Sequence, residues 1–266
     1  MIEINNIYNV DCMEGLRQLD DNCIDLTVTS PPYDELRNYK GFELDFENTA
    51  NELYRVTKDG GVVVWVVNDA TIKGSETGTS FKQALYFKEC GFNLHDTMIW
   101  YKGSCPFPDK TRYYQSFEYM FVFSKGKPKT VNLLEDRKNK WSGTKAHGTE
   151  RRKNGETVPL SAVKLKNNRV VKDFGVRFNV WELSPERNNK TGHPAVFPEQ
   201  VANDHILSWS NENDTVLDPF AGSGTTCKMA LLNNRNYIGF DVSCEYVDIA
   251  RKRVGEARDS IWHFCE

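Results

Sequence analysis

The most constraining feature of this chain is a series of short apolar runs, most of them continuous rather than alternating, separated by segments of helical period. The runs are Ile24–Ser30, Gly61–Asp69, His95–Lys102, Phe117–Lys125, Thr215–Phe220 and Asn236–Val242. Unbroken apolar character suits a strand covered on both faces, whereas a strand with one wet face would alternate. Helical patterns occupy Asn48–Lys58, Thr79–Cys90, Pro198–Ser210, Thr225–Asn234 and Cys244–Arg258. In the last, Val247, Ala250 and Val254 recur at spacings of three and four and mark one apolar face. Strands alternating with helices predict an α/β layered domain with a mostly parallel sheet. The runs His95–Lys102 and Phe117–Lys125 have no helix between them, which predicts an antiparallel hairpin at the edge of that sheet. Asp136–Lys172 breaks the rhythm; it is polar, rich in Gly, Asn and Lys, and reads as an insertion of loops and short strands.

Composition narrows the class. With 266 residues, 39% of them hydrophobic and 6 Trp, 11 Tyr and 15 Phe among them, the chain has ample material for a packed core. No apolar run approaches the roughly 18 residues of a membrane span, and the start MIEINNIYNVDC does not read as a signal peptide. The 7 cysteines are scattered without a C-x-x-C pair, as reduced thiols in a cytoplasmic protein would be. The 5 histidines show no ligand spacing, so no metal site is expected.

Charge is unevenly distributed. From Lys125 to Lys190, 17 Lys and Arg stand against 7 Asp and Glu, a net of +10, while the remainder carries −13 to give −3 overall. Such a concentration is what a phosphate backbone would attract, and Arg151, Arg152, Lys153, Lys164 and Lys166 are its candidate contacts. On charge alone the segment reads equally as a solvated basic loop.

Two loops carry chemistry. DPFAGSGTT (Asp218–Thr226) follows an apolar strand and opens a helix. Its glycines allow a sharp turn and close approach to a ligand at a helix N-terminus. No Lys follows the last Gly, so it is not a phosphate-binding P-loop, and it lacks the G-x-G-x-x-G pattern of pyrophosphate sites. Seventeen residues after Gly224 the next strand ends in Asp241, placed to accept hydrogen bonds from both ribose hydroxyls. A nucleoside without a pyrophosphate, such as S-adenosylmethionine, fits that pair; an ordinary strand–turn–helix corner is the bland alternative.

TSPPY (Thr29–Tyr33) ends the first long apolar run. Consecutive prolines fix the backbone and project a rigid loop, which can aim the Ser30 hydroxyl and the Pro31 carbonyl at one point. An amino group on a heteroaromatic ring is a poor nucleophile because its lone pair is delocalised. Acceptors for its hydrogens favour the pyramidal form, and Tyr33 can stack on the ring. Alone, the loop reads as readily as a Pro-Pro corner with a packed Tyr.

Together, TSPPY and DPFAGSGTT resemble the catalytic and cofactor motifs of the amino-methylating DNA methyltransferases. The resemblance extends through IYNVDCMEGLRQLDDNCIDLTVTSPPY, LYRVTKDGGVVVWVVND, SFEYMFVFSKGKP and HPAVFPEQVANDHILSWS. It implies a Rossmann-like S-adenosylmethionine-dependent fold, with catalytic Ser30, Pro31, Pro32 and Tyr33. The cofactor site it implies comprises Asp11, Cys12, Phe197, Pro198, Asp218, Phe220, Ala221, Gly222, Ser223, Gly224, Thr225 and Asp241. Catalytic loop before cofactor loop is the order of the family's β group. That order implies a catalytic domain of residues 1–125 and 180–266 and a target-recognition insertion at 126–179. Double-stranded DNA is then the expected partner, and the target base is flipped out of the duplex. The family also leaves room for a homodimer, a companion restriction endonuclease and a bacterial or phage-encoded, nucleoid-associated enzyme.

Ser-Pro-Pro-Tyr is more usual in cytosine-N4 enzymes of this family and Asp-Pro-Pro-Tyr in adenine-N6 enzymes, so Ser30 favours cytosine over adenine. Methylation of RNA or of a protein amide, and non-catalytic DNA binding, are the other readings. No Pro-Cys pair exists to serve a carbon-5 methyltransferase.

Overall fold

The computed structural model describes residues 2–32, 44–104, 110–145, 148–159, 170–185 and 197–262. Its elements run β1 (Asn6–Asn9), α1 (Cys12–Arg17), β2 (Ile24–Thr29), α2 (Phe46–Val56), β3 (Thr57–Val67), β4 (Thr71–Ile72), β5 (Ser75–Glu76), α3 (Thr79–Glu89), β6 (Asn93–Tyr101) and β7 (Phe117–Ser124). They continue with β8 (Arg137–Lys138), β9 (Thr149–Arg151), β10 (Thr157–Pro159), β11 (Phe174–Gly175), β12 (Val180–Glu182), α4 (Glu199–Trp209), β13 (Thr215–Asp218), α5 (Thr225–Leu232), β14 (Asn236–Asp241) and α6 (Cys244–Trp262).

Eight strands form one sheet in the order β1-β14-β13-β2-β3-β7-β6-β12. The first five are mutually parallel, β7 is antiparallel to β3 and β6, and β12 adds in parallel to β6. The antiparallel pair expected at the edge is therefore present, with the three-residue β12 adding outside it. Apolar side chains fill both faces of the sheet, as the unbroken runs require. One core gathers Leu26, Val28, Val62, Val64, Val122, Ile206 and Val254, and the other Leu16, Leu53, Val63, Trp65, Phe87 and Phe123. The second is the more aromatic, with Phe87 stacked on Phe123 at 4.5 Å between centroids and edge-on to Trp65 at 5.1 Å.

The chain divides into two compact units, residues 1–132 with 179–266, and Leu133–Phe178. The second begins later than the expected insertion because 126–132 is tied to the sheet-bearing unit. There the Lys129 N–H donates to the Gly60 carbonyl at 2.9 Å and the Asn132 N–H to that of Ser208 at 2.8 Å. Within the second unit, β9 and β10 form one antiparallel pair and β8 and β11 another. Arg177 pairs with Asp136, holding that carboxyl below its ordinary range, and the Arg137 guanidinium lies 4.5 Å over the Phe178 ring.

Candidate active site

Parallel strands bring their carboxyl ends to one edge of the sheet, and the neighbours β2 and β13 deliver both loops there. Pairing of Leu26 with Val216 and of Thr27 with Leu217 fixes their relative height. The loops that begin at Ser30 and Pro219 are thus rooted side by side, where ligands of open α/β sheets bind. A direct bond joins the roots: the Thr29 hydroxyl donates to Asp218 Oδ1 at 2.7 Å, and the Phe220 N–H to the same oxygen at 3.1 Å. Asp218 is buried, and burial pushes its carboxyl up to about 6, against the pull of the Thr29 and Thr226 hydroxyls and the Phe220 N–H.

The glycine loop then turns back on itself. Gly222 and Gly224 both take positive φ, 50° and 77°, which only glycine adopts freely. A Cβ on Gly224 would also lie 2.8 Å from the Cβ of Ala250 on α6. The Gly222 N–H donates to Asp241 Oδ2 at 2.9 Å and the Ser243 N–H to Oδ1 at 2.8 Å, so the carboxylate at the tip of β14 is fixed from both sides. Each oxygen keeps a further acceptor site, which is what a ribose diol needs. Burial raises the Asp241 pKa, so desolvation is the larger effect there.

Asp11 comes to the same corner because Asn9 of β1 pairs with Asp241 and the Val10 N–H donates to the Asp241 carbonyl at 3.1 Å. Its side chain caps α1, accepting from the Met13 N–H at 2.8 Å and the Glu14 N–H at 3.4 Å. Cys12 is buried beside it, and burial, with the Asp11 charge, pushes its thiol to about 12. That thiol is neutral and unsuited to nucleophilic attack. Pro198 caps α4 and is buried; Phe197 is half-buried, packed against the core cluster that holds Ala221 and Cys227. Ala221, Gly222, Ser223, Gly224 and Thr225 are buried around the turn, and Phe220 is half-buried with its ring 6.2 Å from that of Trp65.

On the catalytic side, Ser30 and Pro32 are half-buried and Pro31 is buried. Tyr33 lies outside the described residues, as do Lys164 and Lys166. Arg151, Arg152 and Lys153 are exposed in the second unit, where Arg152 meets Glu156 at 3.4 Å.

Sequence reasoning missed the residues that brace the glycine loop from behind. Arg253 of α6 donates to the Ser223 carbonyl at 2.6 Å and its hydroxyl at 2.8 Å, and forms an ion pair with Glu199 at 2.8 Å. Glu199 also holds Lys228 of α5 at 2.6 Å, so the starts of α4 and α5 are pinned to α6. These bonds join residues 29 to 54 positions apart, and no local motif announces them.

Known proteins are similar in sequence and in fold. A family model described as DNA methylase, for N6 and N4 enzymes, matches residues 24–252. The orphan methyltransferase M.BamHII of Bacillus amyloliquefaciens is 63% identical over 242 residues, covering 88% of this chain and 89% of its own. The solved PvuII DNA methyltransferase, cytosine-N4-specific, superposes with a TM-score of 0.67 at 21% identity, covering 95% of this chain and 89% of its own. M1.HpyAVI, solved as a complex with SAM, has a TM-score of 0.60 at 23% identity, covering 93% of this chain and 98% of its own. The chain belongs to the DNA methylase family of N6 and N4 amino-methylating enzymes.

Proposed function

We propose that this DNA methylase transfers a methyl group from S-adenosylmethionine to N4 of a cytosine flipped out of duplex DNA. The observation that carries the reading is the Thr29–Asp218 bond, which ties the root of the Ser-Pro-Pro loop to the root of the glycine loop. A donor held by one and an amino group held by the other would meet between them. Asp241 would hold the ribose of the donor, Gly222 and Gly224 would let the backbone approach it, and Asp11, Phe197, Pro198 and Phe220 would border the same site. Bound there, S-adenosylmethionine supplies an electrophilic methyl group on a sulfonium. M1.HpyAVI was solved in complex with SAM, which supports the choice of donor.

Ser30 and the Pro31 carbonyl would accept the hydrogens of the target amino group, leaving its lone pair free for in-line attack, and Tyr33 would stack on the base. Extruding the base costs a few kcal/mol, which contacts in the pocket offset. The basic segment containing Arg151, Arg152 and Lys153 would hold the phosphate backbone. Ser at position 30 carries the choice of cytosine, and likeness to the cytosine-N4-specific PvuII enzyme supports it. Adenine N6 is the second reading, since the family description covers both amino groups. Unmethylated plasmid DNA treated with the protein and S-adenosylmethionine, then digested to nucleosides for mass spectrometry, separates them. N4-methylcytosine is the expected product; N6-methyladenine would overturn the base assignment, and no methylated nucleoside would overturn the activity.

A further inference from the structure

Beyond the two loops, a small hairpin stands at the same edge of the sheet. Trp65 of β3 pairs with Thr29, so Asn68 and Asp69 leave β3 beside the start of the Ser-Pro-Pro loop. The chain then forms the two-stranded β4–β5 hairpin, Thr71 opposite Glu76 and Ile72 opposite Ser75. Its turn is Lys73-Gly74, with φ of 49° and 80°, the left-handed pair that suits a two-residue hairpin. Asp69 anchors the base, accepting from the Ser80 N–H at 2.8 Å and the Ser80 hydroxyl at 2.6 Å.

The segment that leads into β7 braces this hairpin. Arg112 donates to the Gly74 carbonyl and lies 3.8 Å from Glu76, and Gln115 donates to Asn68 Oδ1 at 2.8 Å. Despite this bracing, Ile72 is 54% exposed, Tyr114 59% and Tyr113 wholly so. Between Ala70 and Gly78 and between Lys110 and Ser116, three basic residues, Lys73, Lys110 and Arg112, stand against one acidic residue, Glu76. Exposed aromatic rings among cations, on a braced support, have the chemistry of a wedge for a base stack flanked by phosphate contacts.

We propose that this surface is a second contact with the duplex. In it Lys73 and Lys110 meet phosphates, Arg112 holds the hairpin in place, and Tyr113 enters the stack next to the extruded base. The inference rests on the reading of the chain as a base-extruding DNA methylase, and it adds a positioning residue outside the basic segment. A ring that replaces the lost stacking lowers the cost of extrusion, so its value depends on how firmly the target base is paired.

The test uses the whole chain and synthetic duplexes carrying the site mapped by modified-base sequencing of treated plasmid DNA. Single-turnover methyl transfer is measured for wild type, Tyr113→Ala and Tyr113→Phe, with the target base either paired or mismatched. Tyr113→Ala is expected to lose about tenfold on the paired duplex, in line with the removal of one stacking aromatic, and to regain most of it on the mismatch. Tyr113→Phe keeps the ring and should stay near wild type, and S-adenosylmethionine affinity should be unchanged in both. An active wild type with an unaffected Tyr113→Ala, or an equal loss on both duplexes, overturns this inference alone. So does a loss accompanied by a changed sedimentation coefficient, which would assign the surface to a second copy of the chain. An inactive wild type overturns the proposed activity and this inference with it.

Discussion

Asp218 works against its own ionisation. Its ordinary carboxyl value of 3.8 is raised to about 6 by burial, so the folded protein holds the proton more tightly than the unfolded chain does. The group therefore contributes stability below about pH 4, and that contribution is lost as pH rises through about 6. A shift of that size corresponds to about 2–3 kcal/mol. Asp218→Asn keeps an oxygen to accept from Thr29 and from the Phe220 N–H but removes the charge. Relative to wild type it should gain stability between about pH 4 and pH 7, read by urea unfolding across that range. A pH-independent difference would show that Asp218 is not the titrating group. At the other end of the same bond, Thr29→Val removes one of the carboxyl's donors and the tie between the two loops, while Thr29→Ser restores both. The valine variant should lower methyl transfer at saturating S-adenosylmethionine and the serine variant should recover it; equal rates in all three would detach the bond from catalysis.

At the scale of elements, much was legible. Long apolar runs became β2, β3, β7, β13 and β14 because burial on both faces selects unbroken hydrophobic strands, whereas β6, nearer the edge, buries only Met98 and Trp100. The strands and helices that escaped are short: β1 has 4 residues, α1 has 6 and β12 has 3. The two strands owe their existence to a neighbour, β1 to its parallel pairing with β14 and β12 to its pairing with β6, and α1 is too short to show a period of its own. The two loops stood out because Pro-Pro and Gly-x-Gly are local signals. Their bracing did not, since Thr29 and Asp218 meet across 189 positions and Arg253 reaches Ser223 from a helix of ordinary charged pattern. Arg253→Ala removes charge-assisted hydrogen bonds each worth about 1.5–3 kcal/mol, and Arg253→Lys cannot reproduce the guanidinium fork. Both should lower the melting temperature and weaken S-adenosylmethionine binding, alanine more than lysine. An alanine variant with wild-type affinity would mean the glycine loop holds its shape unaided.

For the whole molecule, a net charge of −3 conceals a basic stretch of +10 between Lys125 and Lys190, much of which falls in the compact unit Leu133–Phe178. If that stretch grips DNA, replacing Arg151, Arg152 and Lys153 with Ala should flatten the slope of log affinity against log salt. The expected change is about one unit for each phosphate no longer neutralised, with cofactor affinity unchanged. An unaltered slope would leave these side chains as solvated charge. On the proposed function, labour at the carboxyl edge of the sheet is divided between one loop for the donor and one for the target. Asp241→Ala and Ser30→Ala separate the two when donor binding is followed by calorimetry alongside single-turnover transfer to DNA at saturating donor. The expected result is a weakened dissociation constant with transfer largely preserved for Asp241→Ala, and slowed transfer with an unchanged constant for Ser30→Ala. A Ser30→Ala variant that transfers methyl at the wild-type rate, or the same parameter shifted in both variants, would contradict that division.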